Sequence, residues 1–145
     1  MRLRSPKSRR QIAAAGSGLP GSGPTGIATV VIGTDGSPTS WDAFSWGCGE
    51  ARRMGGRVVA VFAGADEAPE GQAIAEEAES ISHGLDLIFI HAPGDPATEL
   101  LQVADAVHAD LLVVGKSTKV RHRFAGSMGQ RLIARRPVPV VVVVP

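Results

Sequence analysis

Thr29-Val30-Val31-Ile32-Gly33-Thr34-Asp35-Gly36-Ser37-Pro38 is the stretch on which the reading of this chain turns. Thr29 to Gly33 is a β-branched run closed by glycine, the composition of a buried strand. It breaks at Asp35-Gly36-Ser37-Pro38, a turn sequence. Ser37 is a good helix N-cap and Pro38 a good first helical residue, so a helix starts here. Phe44, Cys48, Ala51 and Met54 follow at helical spacing, with Trp41 and Trp46 off that stripe, and Gly55-Gly56 ends the helix.

The same strand-then-helix pattern repeats to the end of the chain. Val58 to Ala63 reads as a second strand, followed by a Gly-, Asp- and Glu-rich connection and a short helix from about Gln72 to Ile81. That helix has a weak apolar face, anchored mainly by Ile74, Ala78 and Ile81. Leu85 to His91 is a third strand, and Pro93-Gly94-Asp95-Pro96 turns the chain into a helix carrying Leu100, Leu101, Val103, Ala104 and Val107. Leu111 to Val114 is the fourth strand, a helix follows from about Ser127 to Arg135, and Val138 to Val144 is the fifth strand. Five strands alternating with four helices predict a doubly wound α/β fold, a parallel sheet covered on both faces.

The 145 residues suffice for one domain. Residues 1–26 are rich in Gly, Ser, Pro and Arg, lack apolar periodicity and read as a flexible basic tail, so the domain is placed at 27–145. A start of translation near Ile27 is an alternative account of the same tail. The composition, 43% hydrophobic and 20% charged, is that of a packed globular chain. No apolar run approaches the roughly 20 residues that span a bilayer, so no membrane span is expected, and the single cysteine suits a reducing, cytoplasmic location. Cys48 is the only cysteine, so no internal disulfide is available, and it reads as a small buried hydrophobe. The bias of 12 Arg to 3 Lys, with no Asn or Tyr, suggests GC-rich codons and a bacterial genome.

Charge is unevenly distributed. Residues 1–26 carry five bases and no acid, residues 27–115 carry all 14 acids against three arginines, and residues 116–145 carry seven bases and no acid. A basic tail and a basic C-terminal segment flank an acidic body.

Ligands of open parallel sheets bind outside the carboxyl ends of the strands, which directs attention to Asp35, to Ala63 and Gly64, to His91, and to Gly115 through Ser127. Gly115-Lys116-Ser117 is not a phosphate loop, because Asp110 stands where that motif needs a glycine. A receiver-type acidic cluster is also absent, since the third strand ends in His91. Gly126-Ser127 opens the last helix behind a loop bearing Lys116, Lys119, Arg121 and Arg123. It reads either as an anion site at a helix N-terminus or as a plain cap. Asp35 likewise reads as a ligand-facing acid or as an Asx turn before Ser37-Pro38, and the two can hold together.

The front motif, Val-Val-Ile-Gly-Thr-Asp35-Gly-Ser-Pro, and the back motif, Leu-Leu-Val-Val-Gly115 with Gly126-Ser127 and Arg-Pro137-Val-Pro139-Val-Val-Val, resemble the universal stress protein family over residues 27 to 145. The resemblance implies a Rossmann-like, five-stranded parallel sheet of order 3-2-1-4-5, a homodimer joined through the last strand, Val138 to Val144, and an adenine nucleotide, ATP or AMP, as ligand. It also implies that Asp35 and Ala63 meet the adenosine portion, Gly115 the ribose-phosphate region, and Gly126, Ser127 and Met128 the phosphates. The chain departs from the family's nucleotide pattern at Thr118, which stands where a second glycine belongs, and the spacing from there to Gly126 is two residues short.

The expected function is therefore a stress-response regulatory protein that binds an adenine nucleotide at the carboxyl edge of the sheet and acts on a protein partner the sequence does not name. The alternative is a dimeric interaction module of the same fold without nucleotide. No catalytic constellation is visible: Ser127 lacks a nucleophile elbow, and His83, His91, His108 and His122 lack metal-ligand spacing, so neither an enzyme nor a metal site is expected. Nucleic-acid binding ranks last, because base stacking in the basic segments would fall to Phe124 alone among Phe, Trp and Tyr.

Overall fold

The computed structural model describes residues 27–63, 68–116 and 140–145. Within them the chain forms β1 (Thr29–Thr34), α1 (Pro38–Met54), β2 (Arg57–Ala63), α2 (Ala68–Ile81), β3 (Asp86–Ala92), α3 (Pro96–Ala106), β4 (Leu111–Gly115) and β5 (Val140–Val144). The strands make one all-parallel sheet in the order β3-β2-β1-β4-β5, as the resemblance implied. The tail at 1–26 and the helix expected from Ser127 to Arg135 lie outside the described residues, as do Val138 and Pro139 at the expected start of the last strand.

Period-two alternation sorts the strand residues onto two faces. Val30, Ile32, Val58, Ala60, Phe62, Leu87, Phe89, Leu111 and Val113 pack with α1 and α2. Val31, Val59, Val61, Ile88, Ile90, Leu112 and Val114 pack with α3. Strands buried on both sides read as unbroken apolar runs, which is why β1 to β4 are legible as strands at all. β5 lies at one edge, where Val142 and Val144 extend the first core cluster and Val143 is 38% exposed on the other face.

Local chemistry sets the helix ends. The Ser37 side chain accepts from the Ser40 N–H, Pro38 opens α1, and Gly55 closes it in the left-handed region at φ 63°. Asp95 does the same for α3, accepting from the Thr98 N–H at 3.0 Å ahead of Pro96. α2 begins at Ala68, four residues before the expected start at Gln72.

The buried arc of α1 is Ser40, Ala43, Phe44, Gly47, Cys48 and Ala51. Met54, expected on that stripe, is 41% exposed: it ends the helix just before Gly56 meets Ala28, where the sheet has run out. Trp41, expected off the stripe, packs against the core and meets Phe44 edge-on at 5.6 Å. Trp46 is exposed as expected. No helix among the described residues is long and apolar enough to cross a membrane.

Cys48 is fully buried within this arc, and burial pushes its thiol up to about 12 despite the opposing pull of Arg52. Neutral thiol is poorly nucleophilic. Ellman's reagent at pH 8 is expected to leave the folded protein unlabelled and to titrate one thiol per chain in denaturant. Because the unfolded thiol ionises near its ordinary 9.0 and the folded one only near 12, this group draws stability down as pH rises between those values. Cys48→Ala is expected to flatten that decline in urea melts taken from pH 8 to 11.

Candidate functional site

Sheet order fixes where a site can form. The chain runs outward from β1 through β2 to β3 with α1 and α2 on one face, then crosses by α3 on the other face to β4, on the far side of β1. The strand order thus reverses at β1, flanked by β2 and β4, and the crevice beyond the carboxyl ends at such a reversal is where ligands bind in this architecture. Asp35 follows the end of β1, Ala63 ends β2 and Gly115 ends β4, so the structure brings these three expected residues to neighbouring strand ends. Gly126, Ser127 and Met128 lie outside the described residues, as does Thr118.

The turn after β1 is built from hydroxyls. Asp35 Oδ1 accepts the Ser37 N–H at 2.9 Å, so the Asx-turn reading of Asp35 holds. Thr34 and Ser40 share a hydrogen bond at 3.1 Å inside the protein, and Ser40 Oγ also donates to the Ser37 carbonyl at 3.0 Å. The Gly36 N–H donates to Thr34 Oγ1 at 3.4 Å, and Gly36 itself sits at φ 82°, a conformation that favours glycine. Ser40 joins the last residue of β1 to the first turn of α1, holding the Asp35 loop from below.

Gly115 is a glycine for a packing reason. A Cβ there would stand 2.6 Å from the Thr39 carbonyl oxygen and 3.1 Å from Ser40 Cα, both backbone atoms of α1. The first turn of α1 is therefore pressed against the end of β4 and walls the crevice between β1 and β4. The following amide, that of Lys116, donates to the Val144 carbonyl at 2.8 Å and ties β4 to β5. Gly115 offers a ligand only its backbone.

On the far side of β1, Phe62 and His91 occupy paired positions on β2 and β3, and their rings stack at 5.1 Å and 21°. Both are buried. Ala63 carries only a methyl group at the mouth of the crevice and is half-buried. Among the described residues no group of three or more His, Cys, Asp or Glu side chains could hold a metal ion. The Thr34–Ser40 pair was not singled out in the sequence, and the only signal for it there is the clustering of four hydroxyl residues between 34 and 40.

A family model described as the universal stress protein family matches residues 62–144. The solved structure of a universal stress protein in complex with cAMP is 33% identical, with 81% of this chain and 96% of that chain covered and a TM-score of 0.69. The chain belongs to the universal stress protein family. A Mycobacterium tuberculosis protein is 28% identical over 81% of this chain and 95% of that one, with a TM-score of 0.55. A universal stress protein from Archaeoglobus fulgidus in complex with dAMP is 22% identical, with 82% and 98% covered and a TM-score of 0.65, a likeness of fold. No curated protein sequence matches. In this universal stress protein the front motif on β1 and the Leu111–Gly115 part of the back motif on β4 thus lie side by side in the sheet.

The packing account of Gly115 separates two glycines. Gly115→Ala is expected to cost about 1–3 kcal/mol, because backbone must move to admit the methyl group. Gly49→Ala, in the interior of α1 with nothing within 4 Å of the new Cβ, is expected to add about 0.5–1 kcal/mol. Urea unfolding followed by circular dichroism measures both.

Proposed function

We propose that this universal stress protein is a regulatory protein that binds an adenine nucleotide in the crevice bounded by Asp35, Ala63 and Gly115, and that it acts through occupancy of that site rather than by catalysis. The observation that carries the proposal is the juxtaposition of those three residues at the reversal of strand order. The relative that is 33% identical was solved with cAMP, which supports an adenine mononucleotide as the ligand class.

The described residues fit such a ligand. Ala63 would present only a methyl group to a planar base, and the Asp35 carboxylate, on a turn fixed by Ser37, Thr34 and Ser40, would accept hydrogen bonds from ribose hydroxyls. The phosphate end would fall to the basic segment that follows Lys116, which holds Lys119, Arg121 and Arg123 ahead of Gly126-Ser127. We further propose a cytoplasmic homodimer paired through Val138 to Val144, supported by the edge position of β5.

Isothermal titration with AMP, cAMP and ATP tests the ligand. Binding of at least one of them with a dissociation constant on the order of micromolar or weaker is expected. Asp35→Asn keeps an oxygen for the Ser37 N–H yet removes the charge, and is expected to weaken binding about tenfold without lowering the melting temperature. Absence of heat with every adenine nucleotide would make the protein an interaction module of the same fold. Light scattering on the same sample is expected to give the mass of two chains, and a mass of one chain would remove the pairing through β5.

A further inference from the structure

Of the three described helices, α2 is the least securely held. Among its described side chains the buried ones are Gly71, Ile74, Ala75 and Ala78, with Ile81 half-buried, so one large side chain of these is sunk in the core. α1 sinks Phe44 and Cys48, and α3 sinks Leu100 and Val103, each beside its own alanines. Burial energy scales with apolar area, and methyl groups supply little of it.

Glu70 in the first turn suits the dipole of α2, but the three other charges do not. Glu76, Glu77 and Glu79 stand in its C-terminal half, and its last turn contains no basic residue. Gln72 donates to Glu76 at 2.9 Å but brings no positive charge. The cation that α2 lacks comes from α1: Arg52 Nη2 donates to the Ile81 carbonyl at 3.0 Å and to the His83 carbonyl at 3.1 Å, at the C-terminal end of α2.

α2 in turn supports the Asp35 turn. The Ile74 Cδ1 lies 3.1 Å from the position a Cβ on Gly36 would take, and Phe62 Cε2 lies 3.7 Å from the corresponding position on Gly71. Removing α2 would uncover the Phe62 ring and take the packing from beneath Gly36.

We infer that α2 opens as a unit in the native protein, that Arg52 is its latch, and that the Asp35–Ser37 turn loosens when it opens. Local opening of this kind draws on the least stable element of a fold, and it makes the order of the turn depend on a contact at the opposite end of α1. The inference holds whether or not a nucleotide binds.

Hydrogen exchange of the full chain, read by mass spectrometry, tests it. Amides of residues 74–82 are expected to exchange at least about tenfold faster than those of 44–51 and 100–104. Arg52→Ala is expected to speed 74–82 by roughly a further five- to tenfold, with the peptide containing Gly36 and Ser37 following in step and 100–104 unchanged. The double variant Glu76→Gln, Glu77→Gln keeps Arg52 and is expected to slow 74–82. Equal protection in all three helices would overturn the inference, as would an Arg52→Ala effect spread evenly over the chain, or unchanged exchange in the glutamine variant.

Discussion

The Thr39 carbonyl and Ser40 Cα stand so close to Gly115 that no side chain fits between the end of β4 and the start of α1. This approach fixes the first turn of α1 over the crevice between β1 and β4. From there the geometry of the site follows: Ser40 reaches Thr34, Ser37 caps the helix, and Asp35 is drawn back onto the Ser37 amide. Gly47 serves the same end farther along, since a Cβ there would stand 2.6 Å from Ile32 Cδ1, and the helix can lie flat on the centre of the sheet. A glycine expected from the family resemblance to serve the ligand turns out to be required first by packing.

Much of the fold is legible in the sequence because β1 to β4 are buried on both faces and punctuated by strong helix caps. Ser37-Pro38 and Asp95-Pro96 each start a helix in place, and Gly55 ends one. Helix periodicity misplaced Met54, because spacing records the angle around a helix and not whether sheet remains underneath at its end. It misplaced Trp41 for the converse reason: a large ring on the flank of a stripe can fold inward onto Phe44. At the candidate site Asp35, Ala63 and Gly115 were legible because strand ends can be read from composition. The Thr34–Ser40 bond was not, because it depends on the height at which α1 meets the sheet, which no local pattern encodes.

Charge gives the acidic body its own internal logic. Fourteen acids lie between residues 27 and 115, and only three arginines accompany them, each with a defined partner, Arg53 pairing with Glu50 within α1. Arg52 closes the end of α2 and Arg57 Nε donates to Thr29 at the opposite edge of the sheet from the candidate site. The other seven bases of residues 27–145 follow Gly115 in the sequence, with no acid among them. α2, the most acidic of the described helices, receives the Arg52 cation at its C-terminal end.

Titration of adenosine monophosphate into isotopically labelled protein, followed by amide chemical shifts, tests most directly that the crevice between β1 and β4 receives the ligand. Saturable shifts are predicted at the amides of Asp35, Gly36, Ala63 and Gly115, with those of β3 and the turn at Gly84 unmoved. Saturable shifts confined to other parts of the domain would contradict the account.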